Sequence, residues 1–115
     1  MRYYIILLLV IFATKVSATH FCEGKILEVD MTGTGEVLAS IENMNSDNKL
    51  CVLGITHGII IPEACQAIYS TLLVAKSTNK KVRVHFRDDT NTSCNKGQGF
   101  DFADSEFYYF SIAND

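Results

Sequence analysis

Apolar and polar residues alternate in three stretches of this chain, and in one stretch they shift to a three-and-four spacing. Lys25 to Met31 reads K-I-L-E-V-D-M, with Leu27, Val29 and Met31 alternating with Glu28 and Asp30, the pattern of a half-buried strand. Thr32-Gly33-Thr34-Gly35 is a turn. From Glu36 to Glu42 the alternation returns, with Val37, Ala39 and Ile41 on one side and Glu36, Ser40 and Glu42 on the other. The two segments predict a β-hairpin. Asn43 to Lys49 is polar and turn-like, and the apolar run Leu50 to Ile55, which contains Cys51, predicts a third strand.

Pro62 then marks a helix start, because proline is tolerated at the first helical position. Glu63 follows it at the positive end of the helix dipole. Up to Thr78 the spacing is helical: Cys65, Ile68, Leu72 and Ala75 form one stripe, flanked by Tyr69 and Leu73. Asn79 is suited to a left-handed cap. Lys80 to Arg87 returns to period two, with Val82, Val84 and Phe86 alternating with Lys81, Arg83, His85 and Arg87. A polar loop, Asp88 to Gly99, carries Cys94. Glu106 to Ala113 is a last, aromatic strand. Three strands, a helix and two more strands form the element order of an OB-fold, a small five-stranded Greek-key barrel. The class is mainly β with one helix, and an α+β fold, an open antiparallel sheet packed by that helix, is the alternative.

The first eighteen residues belong to a different kind of segment. Arg2 precedes the apolar run Ile5 to Phe12, and Val16 and Ala18 stand where a signal peptidase needs small side chains. Lys15 ends the run short of the roughly 20 apolar residues of a membrane-spanning helix. The segment therefore predicts a signal peptide, residues 1–18, cut after Ala18, with a single domain at 19–115 and secretion or a periplasmic location. The cut removes Arg2 and Lys15 and moves the formal charge from −3 to −5. A mildly acidic chain without a basic run argues against a nucleic-acid partner.

All four cysteines lie after the cut, which in an exported chain predicts two disulfides. Their gaps of 29, 14 and 29 residues contain no C-x-x-C pair, against a zinc site. Three pairings are open. The favoured one joins Cys51 to Cys65, closing a short loop onto the helix, and Cys22 to Cys94, tying the first strand to the late loop. Asp88 to Ser93 resembles half of a calcium loop but lacks its sixth-position glycine and its twelfth-position glutamate, so it is read as a plain loop. Asn91-Thr92-Ser93 also fits a glycosylation acceptor. The serines have no G-x-S-x-G elbow and the glycines no phosphate-cradling motif.

The segment Ala64 to Phe86, a cysteine-bearing helix running through a short polar turn into K-K-V-R-V-H-F, resembles small exported bacterial proteins related to the B subunits of subtilase-cytotoxin-like and pertussis-like toxins. The resemblance implies an OB-fold, a pentameric ring and binding of sialylated glycans, with no catalytic residue and no cofactor. It places Thr32 and Thr34 in the general position of the glycan-binding stretch after the first strand, without a residue-by-residue match. The chain has no tryptophan, and tyrosine rings would have to serve as the stacking surface.

The residues themselves add Lys81, Arg83, His85 and Arg87, a row on one face of one strand that could hold a ligand carboxylate by charge-assisted hydrogen bonds. The plainer reading is a solvated strand face paired with Glu36 or Glu42 across the sheet. The sequence thus predicts a non-enzymatic binding module for a glycan or a protein. The alternative is a structural or inhibitory protein that binds one protein partner through the aromatic last strand.

Overall fold

The structure is a computed structural model and describes residues 19–113. The signal-peptide reading of residues 1–18 lies outside the described residues. Five strands and one helix follow one another as β1 (His20–Met31), β2 (Glu36–Ile41), β3 (Asn48–Val52), α1 (Pro62–Ser77), β4 (Lys81–Phe86) and β5 (Phe107–Ile112), with a 3-10 turn at Phe102–Ser105. The strands form one antiparallel sheet in the order β3-β2-β1-β4-β5. Of the two architectures the element order allows, the open α+β sheet packed by one helix is the one observed, and the barrel does not close. The reason lies beside β3. There the chain before the 3-10 turn takes the place of β5, and Lys49 N–H donates to the Phe100 carbonyl at 2.9 Å. That contact and one parallel bridge to Asp101 stand where a ladder would have to form.

Strand β1 is the longest and is shared between two neighbours. Its first half, His20 to Lys25, pairs with β4, and its second half pairs with β2, with an irregularity between Ile26 and Glu28. Gly24 lies at this crossing. A Cβ at Gly24 would collide with the Glu42 carbonyl oxygen, so only glycine lets β1 pass that close. The irregularity also corrects the alternation read from sequence. Before it Cys22, Gly24 and Ile26 face inward, and after it Val29, opposite Ala39, packs against the core as its alternation predicts, whereas Leu27 and Met31 are exposed. A bulge moves every later side chain to the other face, which a strict period of two cannot anticipate.

The helix stripe Cys65, Ile68, Leu72 and Ala75 is buried as its spacing predicts. It packs in one core with Val37, Ala39 and Ile41 of β2 and Val82, Val84 and Phe86 of β4. Burying each large apolar side chain contributes about 1.5–3 kcal/mol, so this core carries most of the domain's stability. The helix ends in a Schellman motif: Asn79 adopts φ 55°, Lys80 N–H donates to the Ala75 carbonyl, and Asn79 N–H donates to that of Lys76. The third strand starts two residues earlier than the apolar run suggests and ends before Gly54.

Two disulfides join Cys22 to Cys94 and Cys51 to Cys65, and among the described residues no cysteine is free. The first anchors the loop after β4 to β1. The second fixes β3 to the first turn of α1. Among the described residues no helix is long and apolar enough to cross a membrane.

Candidate functional site

Odd-numbered residues of β4 point away from the helix, so Lys81, Arg83 and His85 share one face, and Arg87 follows just past the strand's last residue, Phe86. What surrounds them is set by the neighbouring strands. Phe21 of β1 stands opposite His85, and Tyr109 of β5 stands opposite it on the other side. The three rings form a row across the sheet, with centroids 5.6 Å apart for Phe21 and His85 and 4.9 Å for His85 and Tyr109. The outer two are open to solvent, Phe21 at 53% and Tyr109 at 54% exposure.

The cations in this row differ in kind. Arg83 is neutralised by Glu23 of β1, its Nε donating to the carboxylate at 2.6 Å, and its guanidinium carbon lies 4.8 Å from the Phe21 ring centre. This corrects the sequence pairing: the β4 cations face β1 rather than β2, so Glu36 pairs with Lys49 at 3.2 Å instead. Burial, with help from Arg83, holds the His85 imidazole below its ordinary value, so it is neutral at physiological pH. Lys81 is exposed and faces Lys25. Arg87 lies over Tyr108, its guanidinium carbon 4.4 Å from the ring centre. Among the described residues the face is therefore an aromatic strip with a positive charge outside any ion pair at each end, rather than a continuous row of cations.

Thr32 and Thr34 are not part of it. They sit in the β1–β2 turn, where their hydroxyls lie 3.1 Å apart and Thr32 Oγ1 accepts from Glu36 N–H. Up to about 20 Å of strand separates this turn from Lys25, at a rise near 3.3 Å per residue. The structure does not bring the two threonines and the β4 row together.

Two further groups were not legible as sites. His57 Nε2 lies 2.9 Å from both carboxylate oxygens of Asp101, which also caps the 3-10 turn by accepting from Ala103 N–H. Among the described residues neither His57 nor His85 hydrogen-bonds a hydroxyl, so the His57–Asp101 pair lacks the nucleophile a triad would need. Asp88 is occupied locally, accepting from the Thr90 N–H and hydroxyl. Those bonds hold its carboxyl below the usual carboxylate range. Among the described residues no group of three or more His, Cys, Asp or Glu side chains is placed to hold a metal ion.

The second group is a cage around Lys96. Its ammonium donates to the Asn91 and Ser93 carbonyls at 2.7 Å each and meets His20 Nε2 at 3.1 Å, above the Phe86 ring. With Lys96 charged, His20 must accept at Nε2 and stay neutral. Burial and the Lys96 charge both lower the His20 pKa below its ordinary 6.5, and Asp88 opposes them without reversing the shift. The unfolded chain therefore takes up this proton first. The associated stability is present above pH 6.5 and is lost as the pH falls below it. We expect the melting temperature to fall between pH 7.5 and 5.5, with His85 adding to the same window. A His20→Gln protein should show a shallower fall, and an unchanged slope in that variant would refute the assignment.

Comparison with protein families, curated proteins and solved structures finds no match for this chain.

Proposed function

We propose that this chain is an exported, non-enzymatic binding module that takes an acidic, sialylated glycan on the outer face of β1, β4 and β5. The observation that supports this most is the exposed row Phe21, His85 and Tyr109. Two large aromatic rings lie outside the core with about half of their surface open to water, and their flat apolar faces suit the C–H faces of a sugar ring. Arg87 at one end and Lys81 with Lys25 at the other supply charge for a carboxylate. Two disulfides in so small a domain accord with an oxidising compartment. The B-subunit resemblance adds the expectation of a ring.

A glycan array with the oxidised protein, together with its mass in solution, tests the reading. Sialylated glycans should be retained, and Tyr109→Ala and Phe21→Ala should each weaken that binding about tenfold or more, the loss of one good stacking contact. Both substitutions are at exposed positions and should leave the melting temperature nearly unchanged. A monomer silent on every glycan would overturn the proposal.

A second reading has its own support. Strand β5 is an edge of the sheet, so its outer backbone groups are open to strand addition by a protein partner. Recovery of one stoichiometric protein from the envelope or medium, unaffected by free sugars, would favour it over the glycan.

A further inference from the structure

Beyond the aromatic strip, a cleft of about 310 Å³ opens between the loop before α1 and the 3-10 turn, lined by Gly58, Ile59, Arg87, Ala103, Glu106 and Phe107. We propose that this cleft binds a small zwitterion with an apolar side group, a free apolar α-amino acid. The proposal stands apart from the glycan reading in its ligand chemistry and shares only Arg87 with it, the other lining residues lying outside the aromatic strip.

The walls are held in place without a ligand. His57 is tied to Asp101 through both carboxylate oxygens, and His57 and Ile60 exchange two backbone hydrogen bonds of 3.0 Å. The loop is thereby pinned to the 3-10 turn. Gly58 adopts φ 62°, and a Cβ there would lie 3.1 Å from the Ala103 methyl group, so a side chain at this position would crowd the mouth of the cleft. Preformed walls lower the ordering cost of binding.

The charges are paired by position yet not with each other. Arg87 N–H donates to the Glu106 carbonyl at 3.1 Å, which sets the two residues side by side on the cleft. Their side chains form no ion pair. Arg87 is instead held on the Tyr108 ring, and Glu106 sits in the left-handed region at φ 57°, a conformation uncommon for a residue with a Cβ. A guanidinium fork suits a carboxylate in two parallel hydrogen bonds. The Glu106 carboxylate, on a residue lining the same cleft, suits an ammonium. Ile59, Ala103 and Phe107 supply an apolar wall for a side chain. The volume lies at the low end for ligand sites, room for one amino acid rather than a peptide.

Calorimetric titration of the oxidised protein with L-leucine and L-phenylalanine tests this. At least one should bind saturably, with a dissociation constant roughly in the micromolar to millimolar range expected for so few atoms. 4-Methylpentanoate, which is leucine without the ammonium, and isopentylamine, which is leucine without the carboxylate, should each bind about tenfold more weakly or worse. Arg87→Gln and Glu106→Gln should each weaken the amino acid by a similar factor while the melting temperature holds. Chemical shift changes on addition of ligand should centre on the Gly58, Ile59 and Glu106 amides. No saturable binding of either amino acid up to about 10 mM would overturn the proposal, a weaker affinity than such a site should show. So would equal affinity for a singly charged analogue, or unchanged affinity in both charge variants.

Discussion

Replacing Cys22 and Cys94 together by alanine is expected to lower stability by about 4 kcal/mol, because the bond closes a loop spanning 72 residues of sequence. For a domain of this size that loss corresponds to a melting temperature lower by roughly 15–30 °C. The native state should also loosen locally. Cys94 is the covalent anchor of the stretch between β4 and the 3-10 turn, and few of that stretch's backbone groups bond outside it. Gly99 N–H donating to the Ser46 carbonyl is one of the remaining ties. Amide exchange in residues 88–99 should therefore rise more than in the sheet. The pair Cys51 and Cys65, 14 residues apart, closes a shorter loop and should contribute nearer about 3 kcal/mol. Thermal unfolding of the oxidised, reduced and substituted proteins measures both. A fall of less than about 5 °C on losing the Cys22–Cys94 bond would contradict the loop-closure account.

The second large effect is expected at Phe86. Its side chain is fully buried at the meeting point of three parts of the molecule. It contacts Phe102 edge-on at 5.1 Å and Phe107 at 6.2 Å, and it stacks on His20 at 5.1 Å. The Lys96 ammonium lies 5.0 Å above the same ring. Phe86→Ala should cost about 3–5 kcal/mol, from lost transfer energy and from the cavity left behind. Phe86→Leu keeps most of the volume and should cost about 1–2 kcal/mol. Urea unfolding with an unchanged slope would separate the two. A loss below about 1 kcal/mol for the alanine protein would mean that the core refills, and that Phe86 is not its keystone.

The buried faces of β2, α1 and β4 were legible because each is a regular element with one side to the core. Val37, Ala39 and Ile41, the helix stripe from Cys65 to Ala75, and Val82, Val84 and Phe86 all lie where their periods place them. Pro62 and Asn79 bound the helix by backbone chemistry that is local to them. Strand β1 was only half legible. Its first half, His20 to Gly24, lies before the alternation that begins at Lys25, and an irregularity between Ile26 and Glu28 interrupts the rest. Met44 was missed as a core residue. It is buried between Asn43 and Asn45, both at positive φ, in what reads as a polar turn. The 3-10 turn was missed for want of length.

The candidate site divides in the same way. That Lys81, Arg83 and His85 share a face follows from strand alternation alone. What they can do depends on neighbours far away in sequence: Glu23 neutralises Arg83, Phe21 and Tyr109 flank His85, and Tyr108 carries Arg87. Charge and accessibility are properties of the neighbourhood, and the neighbourhood is set by which strands pair. By itself the sequence determined five strands, one helix, their order and most inward faces, because period and backbone chemistry act within a few residues. Only the tertiary structure decided that the sheet stays open, that the threonine turn stands apart from the aromatic strip, and that Arg87 and Glu106 meet at a cleft. Those outcomes depend on contacts between segments tens of residues apart, which no local pattern encodes.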